Sequence, residues 1–354
     1  MGAVEGHHDW FEEQFGFEET GENVTNYFQY DWENKILRSS KNQKAFYVGD
    51  FETPSVKELQ EKVKSMSFIS RDLGGLTFEN IIGDATQLHL AEENASSVFQ
   101  VASQFNCLEM VGPRMTPEMG ITIYQDDGTQ GPRCAMACPA ATVFRNYFWN
   151  GRGQLGGDRN QINTAKDLEI ILGNDEGSYW SMKNGYMMPS RSDAMKEVGD
   201  RISGEDGLRD SLFLNGRVGI HWDTVVVPGA GHRMTQVFCS AVPITYTQTG
   251  KGTKPKDWKT LAEIILESAY QATILTGAIL AKKSNKRVTV FLTQLGGGAF
   301  GNPSPWICAA IEKSLVSALD EPLDVKLVNY ARMPTPNFVR LEESIKQKQE
   351  EKLK

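Results

Sequence analysis

Between Val288 and Ile307 the sequence passes from an apolar stretch, Val288 to Leu292, through Leu295-Gly296-Gly297-Gly298-Ala299-Phe300-Gly301-Asn302 into Pro303-Ser304-Pro305-Trp306-Ile307, where a helix can begin. The pattern predicts a strand, a glycine loop and a helix start. Glycine lets backbone N–H groups approach an anion with no Cβ in the way, and the unpaired donors of a helix's first turn add positive potential at the same spot. Asn302 is the expected cap and Pro303 suits the first helical turn. A turn that only joins a strand to a helix rarely needs three consecutive glycines and further small residues.

The loop also spells G-x-G-x-x-G through Gly296, Gly298 and Gly301, and Asp320 lies roughly where a dinucleotide fold carries its ribose acid. That fold puts the turn after its first strand, with several βα units still to come. Here only Ile307 to Leu319 and the strand Asp324 to Tyr330 remain, which argues against it. No Gly-Lys-Ser/Thr follows the glycines, so a P-loop is excluded.

A chain of 354 residues, 40% hydrophobic and 23% charged, can bury one large core or two modest ones and reads as a folded globular protein. A net charge of -8 argues against a nonspecific grip on nucleic acid, which needs basic clusters. The five cysteines lack C-x-x-C pairing, so neither a disulfide framework nor a structural zinc site is indicated. His89, His221 and His232 have no common spacing for a metal or a Ser-His-Asp relay, and His7 and His8 are read as terminal; no metal and no cofactor is expected. No apolar run is expected to approach a membrane span, and a reducing, cytoplasmic setting with no membrane partner follows.

Along the chain, aromatics from Trp10 to Trp32 suit a segment packed on a larger body. Thr53-Pro54-Ser55 opens a helix ending near Met66. Extended runs are expected at Phe78 to Ile82, Val98 to Ala102, around Leu108 to Val111, at Val218 to Val227 and at Val237 to Tyr246, and an exposed loop from Thr247 to Lys256. Cys134 to Phe148 reads as a small-residue helix interrupted at Pro139, and Trp258 to Leu280 as a long helix. These divisions give an N-terminal extension over 1–70, a core over 71–335 with an insertion at about 150–210, and a charged tail over 336–354 whose end, Glu342 to Lys354, reads as a solvated or frayed helix. The alternation of elements predicts a three-layer α/β/α unit around a mixed sheet.

In such sheets ligands sit beyond the carboxyl ends of the strands. Besides the glycine loop, three strand-end segments stand out: Gly83-Asp84-Ala85-Thr86, Ser103-Gln104-Phe105-Asn106, and Asp126-Asp127-Gly128-Thr129-Gln130-Gly131-Pro132. Taken with the glycine loop, they resemble a macrodomain, the ADP-ribose-binding fold. Gly83 to Thr86 looks like the family's Gly-Asp-Ile-Thr element, and Ala102 to Asn106 stands where the family has Asn-Ala-Ala-Asn, matching only at Asn106. Phe105-Asn106-Cys107-Leu108-Glu109-Met110, Asp127 to Pro132 and Phe144-Arg145-Asn146-Tyr147-Phe148 resemble, more narrowly, a divergent group of effector-type macrodomain hydrolases that remove ADP-ribose from arginine, on ubiquitin among other proteins. Met119 departs from the group, standing where an acid is expected.

The resemblance implies that Asp84 accepts from the adenine amine and that Ala85 belongs to the same ADP-ribose-binding element. Gly296, Gly297, Gly298, Ala299, Phe300, Gly301 and Asn302 wrap the diphosphate and distal ribose, and Tyr330 stacks on adenine. Gln104 lies at the same site. Asp127 is implied as the catalytic acid, with Asp126 and Glu118 as understudies and Asn106 holding ribose hydroxyls or water. Each has a plain alternative as a turn former or core residue. The implied partners are ADP-ribose and ADP-ribosylated protein, ubiquitin among the candidates. Cleavage at the anomeric carbon passes through an oxocarbenium-like state that a carboxylate stabilises, and a guanidine leaves readily, so one acid suffices. A non-catalytic reader of ADP-ribose and an NAD-dependent oxidoreductase are the competing readings.

Overall fold

Two sequence runs are buried almost end to end, Val98–Ala102 and Val288–Leu292, as strands covered on both faces must be. They sit side by side in the middle of the protein. The computed structural model describes residues 9–67, 73–174, 176–227, 231–251 and 253–352. In chain order these form α1 (Trp10–Phe15), α2 (Gly21–Tyr27), β1 (Phe28–Asp31), β2 (Ile36–Ser39), β3 (Ala45–Tyr47), β4 (Asp50–Glu52), α3 (Val56–Ser65), β5 (Thr77–Ile82), α4 (Ala85–Leu90) and β6 (Val98–Ala102). There follow α5 (Gln130–Ala137), α6 (Pro139–Val143), α7 (Lys166–Ile171), β7 (Trp180–Lys183), β8 (Tyr186–Pro189), α8 (Ala194–Gly204), α9 (Leu208–Asn215), β9 (Gly219–Val225), β10 (Arg233–Cys239), α10 (Ile244–Lys251), α11 (Pro255–Ser284), β11 (Val288–Leu292), α12 (Ser304–Val316), β12 (Leu323–Asn329) and α13 (Pro336–Lys352).

The main sheet has seven strands in the order β4-β9-β10-β6-β11-β12-β5. The run from β10 to β5 is parallel throughout, while β9 lies antiparallel to both β10 and β4. β4 therefore points the same way as β10, and six of the seven carboxyl ends share one edge of the sheet. Helices α4, α5 and α6 cover one face, where the Phe99 ring lies 3.9 Å from His89 and 4.3 Å from Phe291. The other face carries α11, with α3 and α12 beside it. The three-layer α/β/α architecture expected from the sequence is present.

Helix α11 is the correction to the expectation that no run reaches membrane-span length. It is long and apolar enough to cross a bilayer, but 94% of its most apolar window is buried inside the protein. Its outer half packs with Trp180, Leu208 and Leu212 of the 150–215 region, forming a second core beside the main one. The N-terminal aromatics behave as expected: Phe11, Phe15, Phe17 and Phe28 meet mostly edge to face, and Tyr30 and Trp32 lean on Phe144. Ser55 and Glu58 close a capping box at the start of α3.

Three local readings change. Leu108 to Val111 forms no strand, since the Met110 N–H bonds Gln104 Oε1 rather than a neighbouring strand. The expected strand from Val237 stops at Cys239, and the next turns wind into α10 across much of the expected Thr247–Lys256 loop. The charged tail is a docked helix: Phe338, Leu341 and Ile345 recur at helical spacing and are buried, and Glu342 Oε2 accepts from the N–H and side-chain amide of Asn80 at 2.9 and 2.8 Å. The expected boundary at 70/71, together with His7 and His8, falls outside the described residues. Phe338→Ala is expected to lower the unfolding free energy in urea by about 3–5 kcal/mol, whereas a solvated tail predicts a change within about 0.5 kcal/mol.

Candidate functional site

Strands β6 and β11 pair only at Val98–Val290 and Phe99–Phe291, and then separate. The backbone groups exposed by that separation need partners. Gln130, the first residue of α5, supplies them, accepting the Ala102 N–H on Oε1 and donating Nε2 to the Gln100 carbonyl, both at 2.8 Å. From the other side, the Thr293 N–H reaches Gln100 Oε1 at 3.2 Å. A Cβ on Gly131 would stand 2.0 Å from the Ala102 carbonyl oxygen, so only glycine lets α5 start so close to the strand end.

The glycine loop closes the other wall. Gly296 has φ +72°, and a Cβ there would meet Ala241 and Asn302; Gly301 has φ +73° and faces Thr245. The loop is pinned from within by the Asn302 N–H on the Gly296 carbonyl at 2.9 Å, and from outside by the Thr245 N–H on the Phe300 carbonyl at 3.3 Å. The N–H groups of Gly298, Ala299 and Phe300 take no partner among the described residues. Three successive free donors in a loop form a site for an anion. Asn302 is not the helix cap: its Nδ2 donates to the Val242 carbonyl at 2.8 Å, tying the loop to the end of β10, and Pro303 takes the capping position before Ser304.

These walls enclose a cleft of about 690 Å³ over the carboxyl ends of β6, β10, β11 and β12. Of the residues singled out in the sequence, Gln104, Asp126, Asp127, Gly296 to Phe300 and Tyr330 line it. The others lie around it. Asp84 caps α4 through the Gln87 N–H at 3.1 Å and pairs with Arg133 at 3.4 Å, and the Arg133 guanidinium lies 5.6 Å from the centre of the Tyr330 ring at the cleft mouth. Ala85 is buried beside it. Gly301 and Asn302 support the loop from behind.

Asn106 is fully buried away from the cleft: its Nδ2 donates to Gln161 Oε1 at 3.0 Å, its Oδ1 accepts the Leu108 N–H, and the Gly185 turn presses against it. Glu118 is directed instead at the Gly156 N–H, at 2.6 Å. Burial works against its charged form, but that bond and its neighbours outweigh it and hold the carboxyl below its usual range. Asp320 is exposed and pairs with Lys352 between α12 and the start of β12, at the opposite edge of the sheet, so no ribose acid stands where a dinucleotide fold needs one.

The sequence reading missed two groups lining the cleft, the tyrosines Tyr186 and Tyr246, and Glu109. Tyr186, Tyr246 and Phe300 form an aromatic wall with ring centres 5.3–5.7 Å apart, and the nearby Asp127 charge helps raise both tyrosine hydroxyls, after burial. Glu109 lies on the cleft floor with its side chain wholly buried. Burial, opposed by Arg145, pushes its carboxyl up to about 7. The histidines take structural places: burial pulls His89 down to about 4, with Nδ1 2.7 Å from the Ala85 carbonyl, and His221 also lies in the interior, pulled well below its usual range by burial. Among the described residues, no group of three His, Cys, Asp or Glu side chains is placed to hold a metal.

No family model matches the chain, and no curated protein gives a significant match. Among solved structures, poly(ADP-ribose) glycohydrolase from Thermomonospora curvata is similar over 92% of this chain and 95% of its own, at 8% identity and a TM-score of 0.41. The same enzyme bound to the inhibitor ADP-HPD gives 95% and 97% at 8% identity and 0.41. The glycohydrolase from Deinococcus radiodurans in complex with ADP-ribose gives 85% and 94% at 8% identity and 0.39. With TM-scores below 0.5 these likenesses carry no weight for the chemistry of this chain, which its own residues define.

The two kinds of glycine in the loop separate experimentally. Gly296→Ala forces a Cβ into Ala241 at a positive φ and is expected to cost stability, about 1–3 kcal/mol. Gly298→Ala meets nothing within 4 Å and should melt like the parent, yet lose affinity for a diphosphate ligand by calorimetry. Glu109 gives a pH signature. Its folded value lies above the 4.5 of the free side chain, so the folded state binds the extra proton and stability falls as pH rises from about 4.5 to about 7. Urea unfolding of Glu109→Gln against the parent at pH 5 and pH 8 should show the parent losing more stability between the two.

Proposed function

We propose that the cleft binds ADP-ribose and that the protein hydrolyses the bond joining its distal ribose to a modified protein side chain, an arginine. The observation that carries the reading is the row of free N–H groups at Gly298, Ala299 and Phe300, inside a cleft with an aromatic at its mouth and carboxylates on its wall. A diphosphate suits those donors. On this reading adenine lies against the exposed Tyr330 face, near the Arg133–Asp84 pair, and the distal ribose extends towards Gln104 and Asp127.

As the bond at the anomeric carbon breaks, positive charge develops on the ribose, and the Asp127 carboxylate stabilises it. The departing guanidine needs no strong acid. The Tyr246 and Phe300 rings beside Asp127 offer a planar cation an aromatic face and a counter-charge together. Arginine as the linkage, and ADP-ribosylated protein such as ubiquitin as the partner, come from the motif resemblance; the wall and its acid agree with a cationic side chain. One observation favours a reader instead: Asp127 Oδ1 already accepts the Thr129 N–H at 2.8 Å, a turn role that needs no catalysis.

Asp127 separates the two. In the hydrolase, Asp127→Ala keeps ADP-ribose affinity within about threefold while release from ADP-ribosylated arginine drops by about 10²- to 10⁴-fold. Equal loss of binding and release removes Asp127 from the chemistry, and intact binding without release by the parent protein establishes the reader. Calorimetry should also rank ADP-ribose above NAD, and a nicotinamide preference would overturn the assignment of the cleft.

A further inference from the structure

We infer that Gln294 reads the base of the bound nucleotide, its side-chain amide meeting the amine edge of adenine beside the Tyr330 ring. This rests on the ADP-ribose reading of the cleft and holds for hydrolase and reader alike. The acceptor implied at Asp84 lies outside the lining, where its carboxylate caps α4 through the Gln87 N–H and pairs with Arg133. Gln294, Asn329 and Tyr330 do line the cleft, together with Val328, Met333 and Thr335.

The neighbours of Gln294 fix the orientation of its amide. Asn329, buried at the end of β12, turns its Nδ2 towards three acceptors, the Ile81 and Leu327 carbonyls at 3.2 Å and Asn80 Oδ1 at 3.3 Å. Its Oδ1 is thereby left to accept, and Gln294 Nε2 donates to it at 2.8 Å. Asn80 is held in turn by the Phe338 carbonyl and by Glu342, so the docked helix α13 backs the whole row. In the main chain, the Gln294 carbonyl accepts the Gly297 N–H at 2.9 Å, at the step from β11 into the glycine loop.

With Nε2 committed to Asn329 through one hydrogen, the Gln294 Oε1 and the second amide N–H remain. Neither has a partner among the described residues, and neither is sealed from solvent. An acceptor with a donor beside it is the complement of adenine, whose amine donates next to a ring nitrogen that accepts. Hypoxanthine carries a carbonyl in place of that amine, which would leave two acceptors facing each other. A stacking ring cannot draw this distinction, because every base has a π-face. Tyr330 follows Asn329 directly and leaves its ring exposed, so the stacking face and the reading edge are anchored at one strand end.

The test is calorimetry on the full chain with ADP-ribose and with its hypoxanthine counterpart, inosine diphosphate ribose. The parent should bind ADP-ribose at least about tenfold more tightly. Gln294→Met keeps the length of the side chain and removes its polar atoms. It should weaken ADP-ribose binding by about tenfold and leave the hypoxanthine nucleotide within about threefold of the parent, which abolishes the preference. Gln294→Ala reads the same ratio should Gln294→Met not fold. A variant that keeps the parent's preference, whether it binds both nucleotides as before or loses both by the same factor, would overturn the assignment; equal loss is what a purely structural role below the glycine loop would give. A parent that binds neither nucleotide defeats the ADP-ribose reading and this inference with it, whereas ADP-ribose binding without discrimination defeats only the role of Gln294.

Discussion

The parting of β6 and β11 after Phe99 and Phe291 is the constraint from which the site follows. Two central parallel strands cannot simply stop pairing inside a protein, because each buried backbone group left alone costs about 1–3 kcal/mol. Glutamine side chains continue the ladder instead: Gln130 completes the edge of β6, and Gln100 accepts the first free N–H beyond β11. The gap stays open because its edges are satisfied. Gly131 and Gly296 then let the two walls approach without closing it.

Segments remote in sequence hold those walls. Glu19, near the N-terminus, accepts the N–H groups of Ile121 and Thr122 and the hydroxyl of Tyr147, anchoring the turn that leads to Asp126 and Asp127. The 150–215 region contributes Tyr186 to the aromatic wall and presses Gly185 onto Asn106. It also gives Asn106 its partner, Gln161. Segments that read as an extension and an insertion are therefore supports of the cleft.

Local signals were legible. The β-branched run before Gly296, the triple glycine, the Ser55–Glu58 capping box and the Pro139 break each state their geometry within a few residues. What escaped depends on partners far along the chain. Asn302 has the spelling of a cap, but its amide answers to Val242. Asn106 belongs to a strand-end motif, yet Gln161, 55 positions away, takes it out of the cleft. Glu109 looks like any carboxylate until Arg145 and Tyr124 close over it. The buried stripe of α13 was hidden by the charges between Phe338, Leu341 and Ile345.

The electrostatics of the cleft fit a net charge of -8. Its described lining residues include one cation, Arg332, against three acids, Asp126, Asp127 and Glu109. A lysine or arginine at the glycine loop would hold a diphosphate by charge, but inside the same cleft it would also be attracted to Asp127 and, on the reading proposed above, blunt the field that stabilises a developing cation. Backbone N–H groups avoid that conflict. They offer directed partial charges, fixed by the loop's own bonds, that attract phosphate oxygens without neutralising the acids. On the reading proposed above, the glycines do more than admit a ligand, since they place anion donors on one wall of the cleft while leaving the carboxylates of the other wall unpaired with any loop cation.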